Sequence, residues 1–228
     1  MFSKKIIVAL DSNNLNKTIR LVKSLKNDAY AFKIGYEFFF NFGLNGYKKI
    51  YSICPRIFLD LKLHDIPNTI KNGVTAISKL NPLFTTIHVS GGDEMMRSTK
   101  IIKKSTKVLG VTILTSLDNK QTYKYYNNKD ISSLVKNFAK YAKKNSLDGV
   151  VCSPKEISQI RKEVGKKFII ITPGIRTEDN INSDDQKRIA TPKKAIGAGA
   201  NYLVIGRPIT ESRNPLKFLK EINKTLLY

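Results

Sequence analysis

The chain has 228 residues, of which 40 are Lys or Arg and 18 are Asp or Glu, so its net charge is +22 at pH 7. This length allows one domain, residues 1–228, with a sizeable core, and the apolar runs along the whole chain exclude a disordered protein. Eight of the 40 basic residues are Arg and the lysines are dispersed, which favours a solvated basic surface, with no nucleic-acid partner, over a polyanion-binding site.

Short β-branched runs alternate along the chain with segments of helical periodicity. The runs predict strands at residues 6–10, 31–34, 57–62, 85–89, 108–114, 149–152, 168–172 and 202–205. The helical segments lie near residues 14–26, 36–46, 69–79, 93–103, 131–144, 154–163, 189–198 and 213–226. Strand–helix units repeated in this way indicate an α/β protein with a single (β/α)8 TIM barrel.

A doubly wound open sheet is the alternative fold. It usually has a glycine-rich loop after the first strand, whereas here Asp11, Ser12 and Asn13 follow Leu10. The polar, tyrosine-rich stretch at residues 116–130 is predicted to be a long loop at the active site.

The two cysteines, Cys54 and Cys152, lie far apart in the sequence, which predicts buried free thiols and a cytoplasmic protein. The first apolar run ends at Asp11 and is typical of a strand, not of a signal peptide. No apolar stretch reaches the roughly 18 residues that a membrane-spanning helix needs, so we expect no membrane partner.

Charged residues lie where the predicted strands end, which is where active sites form in parallel barrels. Alternation along the third strand places Asp60 and Lys62 on the face opposite to its leucines, so both are expected to point into the barrel mouth. Lys33 on the second strand is expected to join them, because charges removed from water must be paired. A structural ion-pair cluster and a catalytic group both fit this pattern.

A second group of polar residues follows the seventh and eighth strands. Arg176 and Arg207, with the neighbouring Gly174 and Gly206, are typical of a phosphate-binding site at this position in a barrel. An ordinary turn with a surface arginine is the alternative. The histidines, which do not have metal-ligand spacing, are expected to be structural, and no metal site is predicted.

Residues 60–69 read Asp-Leu-Lys-Leu-His-Asp-Ile-Pro-Asn-Thr and resemble the signature of the orotidine 5′-phosphate decarboxylase family in its bacterial, single-domain form. Further matching segments occur in family order at residues 8–11, 32–35, 88–92, 114–116, 172–176 and 204–208. The resemblance implies a barrel that converts orotidine 5′-monophosphate to UMP and CO2, the last step of de novo pyrimidine synthesis. It also implies a homodimer with shared active sites and no cofactor.

The resemblance implies a role for each matching residue. Lys62 is the expected proton donor to C6 of the pyrimidine, Asp60 lies beside the departing carboxylate, and Lys33 holds Asp60 and contacts the ribose. Asp65 is expected to complete the charged array of the partner subunit, and Thr69 to bind the ribose there. The other expected substrate-binding residues are Asp11 at the ribose, Thr115 at the pyrimidine, and Arg176, Gln186, Gly206 and Arg207 at the phosphate, with loop 178–186 closing over it.

Two other functions remain as alternatives. Mg²⁺-dependent sugar-phosphate decarboxylases and synthases of the same superfamily share the Asp-x-Lys-x-x-Asp core, but they carry a carboxylate where this chain has Lys33. A non-catalytic polyanion-binding protein would instead use the charge of +22 and would bind nucleic acid with a steep dependence on salt.

Overall fold

Eight parallel strands form a closed barrel in chain order, in which β1 also pairs with β8. The structure is a computed structural model, and it describes residues 4–101, 106–176 and 190–226. The strands are β1 (Ile6–Ala9), β2 (Ala31–Ile34), β3 (Ile57–Leu63), β4 (Phe84–His88), β5 (Lys107–Val111), β6 (Gly149–Val151), β7 (Ile169–Thr172) and β8 (Tyr202–Ile205). The predicted (β/α)8 barrel is therefore confirmed, and the open sheet is excluded.

Helices connect successive strands and follow the last one. They are α1 (Leu15–Leu25), α2 (Tyr36–Ile53), α3 (Pro67–Ser78), α4 (Gly92–Ser98), α5 (Asn119–Tyr126), α6 (Ile131–Lys144), α7 (Ile157–Val164), α8 (Pro192–Gly197), α9 (Arg207–Thr210) and α10 (Pro215–Thr225). Polar caps start several of them: the side chains of Asn14, Thr191 and Asn214 each accept a hydrogen bond from a backbone N–H of the first turn.

The prediction of a loop across residues 116–130 is wrong, because α5 lies within this stretch. Asp118 and Gln121 form a capping box, in which each side chain accepts a hydrogen bond from the other residue's backbone N–H. Strand β5 is also shorter than predicted. It ends at Val111, and a turn closed by the Leu117 N–H and the Leu114 carbonyl precedes α5.

Alternation along the strands separates two apolar layers. Side chains such as Ile7, Phe58 and Phe84 pack together in a cluster that fills the inside of the barrel. Their sequence neighbours, such as Val8 and Leu59, pack in a second cluster with the surrounding helices. The barrel is thus a packed core below its mouth, which leaves room for a site only where the strands end.

Arg161 of α7 forms hydrogen bonds with the loops at the opposite, amino-terminal end of the barrel. Its guanidinium donates hydrogen bonds to the carbonyl oxygens of Gly165, Phe168 and Gly199 and to the Asn201 side chain, at 2.5–3.1 Å. One side chain thus supplies donors to three backbone carbonyls of these loops.

Both cysteines are buried, as predicted, and they form no disulfide with each other. Within the three described segments, none of the helices combines the length and the apolar character of a membrane span.

Candidate active site

A cavity of about 690 Å³ opens at the carboxyl-terminal mouth of the barrel. Its floor is apolar and includes Phe58, Val111, Val151 and Val204 from the upper part of the barrel interior. Among the described residues, the charged ones around it are Asp11, Lys33, Glu37, Asp60, Lys62, Arg176, Arg207 and Glu211. The strand ends thus bring residues that are far apart in the sequence to one site.

Four of these charges form a chain of alternating sign on one side of the cavity. Lys33 Nζ lies 3.2 Å from Asp11 Oδ1 and 3.8 Å from Asp60 Oδ2. Lys62 Nζ donates a hydrogen bond of 2.7 Å to the same Asp60 oxygen. The two lysines therefore share one carboxylate oxygen, which holds both ammonium groups at the mouth.

Asp60 is the most buried member of this chain, with 6% of its surface exposed. Burial by itself would raise the pKa of its carboxyl, but the charges of Lys33 and Lys62 and the hydrogen bonds from Lys62 and Thr86 outweigh burial and lower the pKa below 3.8. Asp60 is thus a carboxylate at neutral pH. It faces the cavity with a fixed negative charge.

The backbone at Lys62 is irregular. Its φ is 41°, a left-handed value that side-chain-bearing residues rarely adopt, and the β3–β4 register shifts between Leu59 and Leu63. Leu59 pairs with Thr85 and Leu63 with Ile87, so three residues of β3 face one residue of β4, which is Thr86. This bulge turns Lys62 toward Asp60 at the mouth.

The amino-terminal end of helix α2 covers Lys33 and Lys62. The Tyr36 hydroxyl donates a hydrogen bond to the Leu61 carbonyl at 3.0 Å, and the centre of the Tyr36 ring lies 5.7 Å from the Lys62 ammonium. Gly35 precedes it, where an added Cβ would lie 2.8 Å from Lys33 Nζ and 3.0 Å from Asp11 Oδ1. A glycine at this position therefore leaves space for the Lys33–Asp11 pair.

The other side of the cavity carries the predicted phosphate-binding residues. Arg176 is buried, and its pKa is lowered by burial and by the charge of Arg207, which lines the same cavity. Gly174 has a φ of 77°, so its backbone bends in a way that favours glycine. Gly206 and Thr115 also line the cavity.

Two predicted site residues lie outside the cavity of their own chain. Asp65 and Thr69 are exposed at the start of α3, and neither is among the described residues that line the cavity. One Asp65 oxygen accepts a hydrogen bond of 2.7 Å from the Ile66 N–H. Gln186 and the loop 178–186 lie outside the described residues.

Three residues near the lysine pair were not identified from the sequence as part of a site: Gly35, Tyr36 and Thr86. Gly35 stood in one of the matching segments, so its signal was present. Thr86 had no signal, because it follows an identical residue in a run of β-branched residues typical of any strand. In the described part of the chain, no group of three or more His, Cys, Asp or Glu residues is arranged to hold a metal ion.

A barrel whose mouth joins a Lys–Asp–Lys group on one side to two arginines on the other is typical of an enzyme for a small, phosphate-bearing substrate. Residues 4–222 match the orotidine 5′-phosphate decarboxylase / HUMPS family, and the chain belongs to this family.

Curated relatives agree with this assignment over nearly the full chain. The orotidine 5′-phosphate decarboxylase of Wolbachia sp. subsp. Brugia malayi is 45% identical over 223 residues, which is 97% of this chain and 98% of the relative. That of Pseudoalteromonas translucida is 42% identical over 229 residues, 98% of this chain and 97% of the relative. The crystal structure of the Lactobacillus acidophilus orotidine 5′-phosphate decarboxylase superposes with a TM-score of 0.85 at 35% identity, covering 99% of this chain and 100% of that one.

Proposed function

We propose that residues 1–228 act as one domain that decarboxylates orotidine 5′-monophosphate to UMP and CO2, the step that completes de novo pyrimidine synthesis. The observation that carries this proposal is the alternating Asp11–Lys33–Asp60–Lys62 chain at the mouth of a family member's barrel. The arginines across the cavity suit the substrate's phosphate, and the lysines suit its carboxylate.

Lys62 is proposed as the acid. When the bond between C6 and the carboxylate breaks, its electron pair stays on C6 in an orbital that cannot delocalise into a carbonyl. An ammonium beside that carbon stabilises the developing charge and then donates its proton to C6, after which the amine recovers a proton from water. A lysine suits this role better than an arginine, whose proton is held too tightly.

Asp60 is proposed to lie beside the substrate carboxylate. At a separation of ~4 Å and an effective dielectric constant of ~20, two like charges repel by about 4 kcal/mol. The lowered pKa of Asp60 keeps this charge in place at neutral pH. Loss of CO2 relieves the repulsion. Before that step, the positive charges of Lys33 and Lys62 offset part of the repulsion, so the substrate can still bind.

The rest of the substrate is assigned to the remaining cavity residues. We propose that Asp11 and Lys33 bind the ribose, Thr115 the pyrimidine, and Arg176 and Arg207 the phosphate, next to the backbone at residue 206. Gln186 is proposed as a further phosphate ligand. The phosphate lies far from C6, so its binding energy can contribute to positioning the reacting end.

A homodimer with shared sites is proposed as the working form, in the cytoplasm. Its support is the exposed apolar surface beside the mouth, where Phe40 is 77% and Ile66 67% exposed. Asp65 and Thr69 lie in the same region, at the start of α3, and are available to a partner's cavity. Phe40→Glu is expected to give a monomer in analytical ultracentrifugation with little activity, and a dimeric Phe40→Glu protein would contradict this interface.

The direct test is the ultraviolet absorbance change of orotidine 5′-monophosphate on addition of the purified protein. Decarboxylation at an undiminished rate in excess EDTA is expected, and loss on chelation would favour the Mg²⁺-dependent alternative. Lys62→Ala should lower kcat/KM on the order of 10⁴-fold or more, since it removes both a proton donor and a charge. Lys48→Ala, on the exposed face of α2, is the matched control and should keep the wild-type rate.

A further inference from the structure

We infer that Thr86 is a positioning residue for the decarboxylation, whose hydroxyl sets the orientation of both Asp60 and Lys62. This inference rests on the proposed function. Thr86 lies in β4, is fully buried, and is not among the described residues that line the cavity. It therefore has no path to the substrate except through its neighbours.

The Thr86 hydroxyl makes two hydrogen bonds that join the reacting pair. It donates to Asp60 Oδ1 at 2.8 Å and accepts from the backbone N–H of Lys62 at 2.9 Å. One side chain thus holds the carboxylate of one site residue and the main chain of the other.

The bond to Asp60 determines which carboxylate oxygen faces the lysines. Because Thr86 takes Oδ1, the other oxygen, Oδ2, is the one that accepts from Lys62 Nζ at 2.7 Å and lies 3.8 Å from Lys33 Nζ. Without the hydroxyl, the carboxylate can rotate about its last bond and share its oxygens differently between the lysines. The position of the proton on Lys62 would then vary.

The bond to the Lys62 N–H replaces a missing sheet interaction. At the bulge, three residues of β3 face Thr86 alone, so the ladder cannot supply an acceptor for each N–H. The hydroxyl provides that acceptor at the residue whose φ is 41°. An unusual backbone conformation persists only when its surroundings hold it, and Thr86 is one of the contacts that do so.

The adjacent Thr85 provides a matched control. It is also fully buried in β4, but alternation turns it to the opposite face, and its hydroxyl has no hydrogen-bond partner among the described residues. Thr85→Val and Thr86→Val make the same chemical change one residue apart. Only Thr86→Val removes hydrogen bonds to Asp60 and Lys62.

The experiment measures kcat and KM for orotidine 5′-monophosphate in both valine variants. Thr86→Val is expected to lower kcat by about tenfold to a hundredfold, the usual effect of losing a hydrogen bond to a charged group, with KM within about threefold of wild type. Thr85→Val should retain the wild-type kcat. Equal kcat values in the two variants would overturn the inference.

A second pair of variants covers the case in which Thr86→Val does not fold. Thr86→Ser and Thr86→Ala both remove the methyl group, so only the hydroxyl distinguishes them. Thr86→Ser should restore most of kcat and Thr86→Ala should not; a purely structural role would lower both or neither and would refute the inference. If the wild-type and Thr85→Val proteins also fail to decarboxylate the substrate, the proposed function fails first, and this inference falls with it.

Discussion

The backbone conformation of Lys62 predicts an unusual order of stability between two substitutions. A φ of 41° costs a residue with a Cβ about 1–2 kcal/mol, whereas glycine adopts it freely. In an ordinary strand position, glycine is instead less stable than alanine by roughly 0.5–1 kcal/mol. The difference between these two effects leaves Lys62→Gly more stable than Lys62→Ala by up to about 1.5 kcal/mol.

The comparison isolates the backbone, because both variants lack the ammonium group and lose the same contact with Asp60. Urea unfolding followed by far-ultraviolet circular dichroism gives the two free energies, and thermal unfolding should separate the melting temperatures by about 2–4 °C per kcal/mol. Lys107, an exposed residue of β5 without a positive φ, is the control position. There, glycine should be less stable than alanine.

If the glycine variant is less stable than the alanine variant at position 62 as well as at position 107, the backbone at Lys62 is not strained. The expected reversal would instead show that the fold maintains an unfavourable backbone at the residue proposed to protonate the substrate. Strain of this kind persists where surrounding contacts fix it, as the Thr86 hydroxyl does here.

Three further predictions concern Asp60, Arg161 and Arg207. The pKa of Asp60 is lower in the folded protein than its ordinary value of 3.8, so its contribution to stability is present above pH 3.8 and is lost as the pH falls through the folded value. The difference in unfolding free energy between wild type and Asp60→Asn, measured in urea titrations, should therefore shrink below about pH 4. Arg161→Met should destabilise the protein by about 1–3 kcal/mol, since it removes the donor from part-buried carbonyls of Phe168 and Gly199. Arg20→Met, on the exposed face of α1, should change stability by less than about 0.5 kcal/mol, and equal effects of the two substitutions would contradict a stabilising role of Arg161. Arg207→Ala should weaken UMP binding by about tenfold to a hundredfold in calorimetry, and Arg213→Ala, outside the cavity, should not.

The barrel and its charged mouth could be predicted because both depend on short-range patterns. Parallel strands buried on both faces are continuous apolar runs, and a period of two predicts Asp60 and Lys62 on one face. The structure brings the two side chains together at the mouth, although a bulge interrupts the regular alternation at Lys62. Lys33 follows from the need to pair charges at the ends of neighbouring strands. Each strand and the Asp60–Lys62 pair can be inferred from fewer than ten consecutive residues, whereas the place of Lys33 also depends on which strands are neighbours.

Thr86 could not be predicted, because its role depends on the register between two strands. A regular β3–β4 ladder would give each residue of β3 its own neighbour, and Thr86 would not bond to both Asp60 and Lys62. The shift between Leu59 and Leu63 is a property of the folded pair and leaves no mark in either strand alone. The missed helix α5 differs, because its capping box at Asp118 and Gln121 was visible in the sequence.

The charge of +22 and the charges of the site are separate properties of this chain. Among the described residues, four basic and four acidic side chains line the cavity, so the formal charge of this lining is balanced while the whole chain is strongly positive. A balanced site cannot distinguish one anion from another by attraction alone. Under the proposed assignment it does so by position, because Asp60 would oppose a carboxylate at one end while Arg176 and Arg207 would attract a phosphate at the other. The excess positive charge outside the cavity can then raise the rate at which any anion arrives, but it has no part in choosing which one reacts.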